Sequence, residues 1–179
     1  MRIIAGTHRG RKLKEFDGKN IRPTTDRVKE ALFNMISGFI GNAVVLDLFA
    51  GSGALSLEAL SRGAARAVMV DSDGDSIKVI NENISRVSYE QQTDVKNLDA
   101  MAYIKSSSEK FDIVFLDPPY NKGFIPPAAE ALIKFGRLND GAVIVTETDS
   151  GEEEYSFDGM EVYRRRRYGK TFITVYIKN

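Results

Sequence analysis

The 179-residue chain contains no cysteine, no tryptophan and a single histidine. Without cysteine there is no disulfide, no thiolate metal site and no cysteine nucleophile. The lone histidine, His8, leaves nothing from which to build a histidine-rich metal centre, so no metal is expected. A Ser-His-Asp triad would have to use His8, which lies in a basic stretch with no serine motif beside it. No apolar run approaches the roughly 20 residues that a membrane helix needs. Met1-Arg2-Ile3-Ile4-Ala5-Gly6 meets a basic run before the apolar core of a signal peptide can form. The expectation is a soluble, cytoplasmic, monomeric protein, in which the Asn83-Ile84-Ser85 sequon carries no meaning.

Net charge is also missing: 25 Lys and Arg balance 25 Asp and Glu. That argues against a simple basic coat for nucleic acid. The distribution is less even. Residues 1–30 hold nine basic and four acidic side chains, and residues 164–179 hold Arg164, Arg165, Arg166, Arg167, Lys170 and Lys178 with no acid. The acids sit mainly in the middle, with a run at Glu152-Glu153-Glu154. Two basic ends on a neutral protein can form one positive face, although either cluster alone reads equally as solvated surface.

What is present is an alternating pattern on a chain sized for one domain. Residues 1–22 read as a short β-rich arm with turn signals at Gly6 and Gly10. From Pro23 to Gly41, Val28, Ala31, Leu32, Met35, Ile36 and Phe39 recur at helical spacing, with Thr24 or Thr25 as N-cap. Strands are expected at 43–48, 67–71, 90–93 (weak), 111–117 and 142–147. Helices are expected near 54–62, 75–86, 101–105 and 126–136. Residues 161–177 read as a hairpin turning at Tyr168-Gly169-Lys170. This is an α/β chain: a mostly parallel sheet with right-handed crossovers, helices on both faces and a C-terminal antiparallel hairpin. Such sheets bind ligands at the carboxyl ends of their strands.

Three motifs fall there. Asp47-Leu48-Phe49-Ala50-Gly51-Ser52-Gly53 runs from a buried strand into a glycine turn. Glycine lets backbone approach a ligand closely, but Ser56 breaks the dinucleotide fingerprint and Asp47 would repel a pyrophosphate. Asp47 suits a cationic group instead, such as an amino-acid ammonium. Asp71 ends the next strand, 20 positions after Gly51, the spacing at which a carboxylate accepts from ribose hydroxyls. Asp73 or Asp75 would cap the following helix; Asp99-Ala100 fits either an adenine edge or another helix cap. The third motif ends the apolar strand 111–117 in Asp117-Pro118-Pro119-Tyr120. Two prolines stiffen the loop and remove competing amide hydrogens. Asp117 and the Pro118 carbonyl would be two acceptors at fixed separation, matching the two N–H donors of an amino group. Tyr120 offers a face on which a base can stack.

The glycine turn with Asp-Pro-Pro-Tyr resembles the class I amino-methyltransferases, which act on base amino groups. Gly6-Thr7-His8-Arg9-Gly10-Arg11-Lys12-Leu13 and Arg22-Pro23-Thr24-Thr25-Asp26-Arg27-Val28-Lys29-Glu30-Ala31-Leu32-Phe33-Asn34 resemble, more narrowly, the bacterial RsmD family. That family methylates N2 of a guanine in 16S ribosomal RNA with S-adenosyl-L-methionine. The departures are Asp71, where glutamate is common, and His8, where a larger aromatic is often found. The resemblance implies a Rossmann-like class I methyltransferase domain over 23–179, with residues 1–22 as its RNA-binding arm. It implies that Thr24 and Arg27 begin a helix closing over the methionine end of the cofactor. Asp47 and Phe49, Ala50, Gly51, Ser52 and Gly53 would wrap the cofactor, Asp71 its ribose, and Asp99 and Ala100 its adenine. Arg9, Arg11 and Lys12 would grip RNA phosphates, in 16S RNA or an assembling small subunit. Arg164 to Arg167 fit either RNA contact or a solvated edge strand that deters aggregation.

Rival readings remain open at this point. A DNA adenine-N6 methyltransferase would use the same Asp-Pro-Pro-Tyr loop. A nicotinamide-dependent dehydrogenase is disfavoured by Asp47 and Ser56. A non-enzymatic RNA-binding module leaves 117–120 without a purpose.

Overall fold

The computed structural model describes residues 1–15, 26–119, 123–149 and 154–179. A seven-stranded sheet runs in the order β3-β2-β1-β4-β5-β7-β6. Its strands are β1 (Val44–Asp47), β2 (Arg66–Asp71), β3 (Thr93–Asn97), β4 (Phe111–Leu116), β5 (Leu138–Asp149), β6 (Met160–Tyr168) and β7 (Thr171–Lys178). Strands β1 to β5 pair in parallel, and β7 is antiparallel to both β5 and β6. The helices are α1 (Asp26–Met35), α2 (Ala54–Ser61), α3 (Gly74–Val87), α4 (Ala100–Ser106) and α5 (Ile125–Lys134). No helix among the described residues is long and apolar enough to cross a membrane.

Strand β4 is buried along nearly its whole length, as its unbroken apolar run demands of a central parallel strand. Alternation then divides the core. Val45, Ile113, Phe115, Val143, Val145, Ile173 and Val175 face α1, α2 and α3. Leu46, Val114, Leu116, Ile144 and Tyr176 face α4 and α5. Helix α2 is buried on every side, because the sheet lies on one flank and the amino-terminal arm covers another.

Three local expectations change. The segment 90–93 is a 3-10 turn (Glu90–Gln92), and β3 begins only at Thr93; without branched apolar residues, Glu-Gln-Gln has little to bury on a pleated surface. Helix α1 stops at Met35, and a separate 3-10 turn, Ser37–Phe39, carries the chain to Gly41. Among the described residues of the arm there is one β-bridge, Arg2 with Lys12, rather than extended strands. Side chains of α1, α2 and α3 hold the arm in place. The expected caps Thr24 and Thr25 lie outside the described residues.

Candidate active site

Strands β1 and β4 are neighbours, so the turn after β1 and the loop after β4 emerge side by side. Leu48 N donates to the Phe115 carbonyl at 3.3 Å, and Ala50 N to the Val70 carbonyl at 3.0 Å. The glycine turn is thus stitched to the strands on both sides of it. Gly51 and Gly53 take φ of 55° and 78°, left-handed values that favour glycine. A Cβ on Gly53 would also meet the Met69 sulfur at 3.1 Å.

Side chains from the next elements set the rest of this turn. Asp71 Oδ2 accepts from Gly51 N at 2.8 Å, and its Oδ1 accepts from Asp73 N at 2.9 Å. Each oxygen keeps a lone pair for a further donor. Asn83, fully buried on α3, donates to the Ser52 carbonyl at 2.9 Å. It also donates to the Lys14 carbonyl at 3.1 Å and accepts from Lys14 N at 2.6 Å. One amide therefore pins both the arm and the glycine turn. In the sequence Asn83 belongs only to an idle sequon, and an isolated asparagine in a helix gives no signal of such a role.

Asp47 is 1% exposed. Ser56 Oγ donates to its Oδ2 at 3.2 Å, whereas Oδ1 finds no donor among the described residues. Burial pushes this carboxyl up to about 7, against the smaller opposing effects of the Ser56 and Phe49 hydrogen bonds. A buried oxygen without a donor is costly. Such an oxygen can accept from a cation or another donor.

Asp117 is half-buried, Pro118 buried and Pro119 exposed. Tyr120 lies outside the described residues. Beyond it, the Phe124 ring stands 5.8 Å from that of Phe49, tilted by 34°. The Asp-Pro-Pro loop and the glycine turn therefore share one edge and touch through their flanking aromatics.

The remaining cofactor candidates divide. Arg27 is exposed in the first turn of α1, and Thr24 lies outside the described residues. Asp99 caps α4, accepting from Ala102 N at 3.0 Å, and Ala100 is buried behind it. Asp73 caps α3 through Asp75 N and Ser76 N. The cap occupies one oxygen of Asp99, so an adenine contact would use the other.

The basic residues are not one patch. Thr7 N donates to the Ser61 carbonyl at 2.8 Å, and His8 N to Ser61 Oγ at 3.0 Å. A Cβ on Gly6 would fall 1.7 Å from that carbonyl, so glycine is needed there. His8 itself packs edge-on against Tyr89 with a 2.8 Å contact to its hydroxyl. These contacts hold the Thr7–Gly10 turn at the far end of α2, about 12 Å along its axis from the glycine turn. Arg9 is exposed at that remote turn, while Arg11 and Lys12 are exposed on the returning limb. Alternation divides the arginine run as well. Arg164 and Arg166 pair with Val175 and Ile173 on the α1 face, whereas Arg165 and Arg167 pair with Thr174 and Phe172 on the other. Arg165 also bonds Glu154 at 3.0 Å and lies 4.3 Å over the Phe172 ring. The hairpin tip at Gly169 nevertheless rises on the carboxyl side, since β5 continues past Thr146, the partner of Leu116, to Asp149, the partner of Thr171.

A family model described as "Conserved hypothetical protein 95" matches residues 1–177. The ribosomal RNA small subunit methyltransferase D of Escherichia coli (strain K12) is 41% identical over 149 residues, 83% of this chain and 75% of that one. Its Haemophilus influenzae counterpart is 38% identical over 83% and 79%. Among solved structures, the Escherichia coli protein yhhF superposes with a TM-score of 0.90 at 36% identity, covering 100% of this chain and 98% of that one. An RNA methyltransferase from Salinibacter ruber, in complex with S-adenosyl-L-homocysteine, shares the fold at a TM-score of 0.66 and 18% identity over 88% and 94%. With the glycine turn and the Asp-Pro-Pro loop on one edge of this sheet, the chain belongs to the ribosomal RNA small subunit methyltransferase D family.

Proposed function

We propose that the chain transfers a methyl group from S-adenosyl-L-methionine to the exocyclic N2 amine of a guanine in small-subunit (16S) ribosomal RNA, leaving S-adenosyl-L-homocysteine. The observation that carries this reading is the adjacency of two loops on neighbouring strands, joined by the Leu48–Phe115 hydrogen bond and the Phe49–Phe124 contact. The names of the family relatives support the RNA class.

The residues present fit that cofactor. Asp47 has a buried oxygen with no donor among the described residues, and an amino-acid ammonium would supply one. Asp71 keeps acceptor capacity for ribose hydroxyls beyond its two backbone bonds. Gly51 and Gly53 leave room for backbone approach, Phe49 and Ser52 border the turn, and Ala50 anchors it to β2. The cofactor supplies a sulfonium-bound, electrophilic methyl group.

The lone pair of a guanine N2 is delocalised into the ring, so this nitrogen is a weak nucleophile. Asp117 and the Pro118 carbonyl accept from its two N–H groups, favour a pyramidal nitrogen and stabilise the positive charge that develops there. That charge is discharged when the methylated nitrogen gives up one of these protons to Asp117 or to solvent. Pro118 and Pro119 keep the two acceptors at fixed separation, so alignment is set before reaction. Tyr120 stacks on the base, which must be unpaired or extruded to enter. Arg164, Arg166, Arg167 and Lys170 contact phosphates beside the site; Arg9, Arg11 and Lys12 reach a more distant stretch of RNA. The protein acts in the cytoplasm, where its substrate is made.

The test is transfer of a labelled methyl group to 16S RNA, to small subunits and to DNA, followed by digestion to nucleosides. The expected product is N2-methylguanosine from RNA. N6-methyladenine from DNA would overturn the proposal.

A further inference from the structure

The catalytic edge holds one more acid that the motifs do not mark. Glu147 lies on β5 and is 6% exposed. Phe115 pairs with Val145, and Leu116 with Thr146. Glu147 therefore stands one step further along, beside Asp117, on a strand about 4.8 Å away. Val143, Val145 and Phe115 all face α1, α2 and α3, and alternation turns Glu147 to that same side. Asp47 shares this face two rows below, and its Oδ1 finds no donor among the described residues, so the same face of the edge also borders the place read above for the cofactor.

We propose that Glu147 selects guanine over adenine by accepting the guanine N1–H while Asp117 and the Pro118 carbonyl hold the N2 amine. The inference rests on the reaction proposed above. Guanine presents N1–H next to its N2 amine, so two carboxylates on adjacent strands meet adjoining donors. Adenine presents its N6 amine next to a bare N1 lone pair. Against Glu147 that lone pair meets a carboxylate: a hydrogen bond is lost and two acceptors oppose each other. A site built to hydrogen-bond one partner rejects an analogue lacking the donor far more strongly than shape alone permits. The Asp-Pro-Pro loop by itself accepts any exocyclic amine and cannot make this distinction.

The test uses 2-aminopurine, which keeps the N2 amine but has a lone pair at N1. Small-subunit RNA is assembled by ligation with guanine or 2-aminopurine at the nucleotide that the wild-type protein methylates. Wild type is expected to prefer guanine by about a hundredfold or more in kcat/KM. In Glu147→Gln the side-chain amide can donate to the bare N1. Guanine turnover should fall about 30-fold, 2-aminopurine turnover should hold or rise, and the preference should collapse by at least about tenfold. Affinity for S-adenosyl-L-homocysteine should remain within about twofold of wild type. Should Glu147→Gln fail to fold, Glu147→Asp is read instead: it retains the carboxylate, and so should lose guanine turnover while keeping discrimination against 2-aminopurine. Equal losses on both bases in Glu147→Gln, loss of discrimination in Glu147→Asp, or unchanged guanine turnover in either variant would overturn the role of Glu147 alone. A wild-type product other than N2-methylguanosine would overturn the reaction itself, and this inference with it.

Discussion

At the scale of single residues, Asp47 joins burial to ligand chemistry. Its carboxyl is raised from 3.8 to about 7 in the folded protein. A raised carboxyl stabilises the fold below its unfolded value, and that contribution is lost as pH rises from about 4 through about 7. Three pH units of displacement amount to on the order of 4 kcal/mol. Asp47→Asn should flatten the fall in apo-protein melting temperature over that range. It should also weaken S-adenosyl-L-homocysteine binding, because the ammonium loses its carboxylate. In wild type, affinity should drop toward tenfold per pH unit below 7, as binding must first remove the proton; calorimetric titration from pH 5 to 8 reads both effects. Asn83 works through hydrogen bonds alone. Asn83→Ala removes three of them and should cost about 2–3 kcal/mol of stability. The freed Ser52 carbonyl should also weaken cofactor binding by about tenfold, measured in the same titration. The two residues differ in legibility. Asp47 stood in a motif whose composition already implied a cationic partner. The role of Asn83 depends on which segments fold back onto α3, which no local pattern encodes.

Elements show the same division. The strands with long apolar runs, β1, β2, β4 and β5, were legible because burial on both faces writes itself as composition. The segment 90–93 was misread because two glutamines and a glutamate fit either an edge strand or a turn. The arm was legible as a unit, but not as one held by Glu58. That fully buried carboxylate accepts from Ile4 N at 2.7 Å, Ala5 N at 3.0 Å and Arg62 Nε at 2.7 Å, and faces buried Lys29 at 3.4 Å. Burial lowers the Lys29 pKa, and the neighbouring Glu58 opposes that shift. Glu58→Ala should destabilise the protein by about 3–5 kcal/mol, because it leaves a buried ammonium without its carboxylate and two backbone donors unanswered. Loss of protection of the Ile4 and Ala5 amides in hydrogen exchange would identify the arm as the part released. In β6, alternation separates arginines that composition had grouped. Arg166→Ala should lower the salt dependence of RNA binding by about one charge with little change in stability. Arg165→Ala should do the reverse, because Arg165 is committed to Glu154 and Phe172.

The whole molecule is a division of labour across one sheet edge. β1 and β2 carry the groups suited to a cofactor, and β4, β5 and the hairpin tip carry those suited to a base and its flanking phosphates. The mostly parallel sheet followed from the alternation of strands and helices, and the antiparallel end from the Gly169 turn, whereas the strand order that creates this division is seen only in the structure. The position of the arm did not follow, because composition allowed its basic residues to share one positive face with those of the C-terminal hairpin. Its backbone is instead anchored down the length of α2. RNA that engages both Arg9 and Asp117 must therefore span that helix, about 12 Å, so an RNA of only a few nucleotides should be a much poorer substrate than a small-subunit RNA domain. Methylation rates on truncated RNAs measure this directly.

The acceptor pair itself is tested most directly by Asp117→Ala, with cofactor affinity and single-turnover methyl transfer measured on one preparation. We expect S-adenosyl-L-homocysteine to bind within about threefold of wild type while transfer slows by at least about 10²–10³-fold. Transfer within about threefold of wild type would contradict the account.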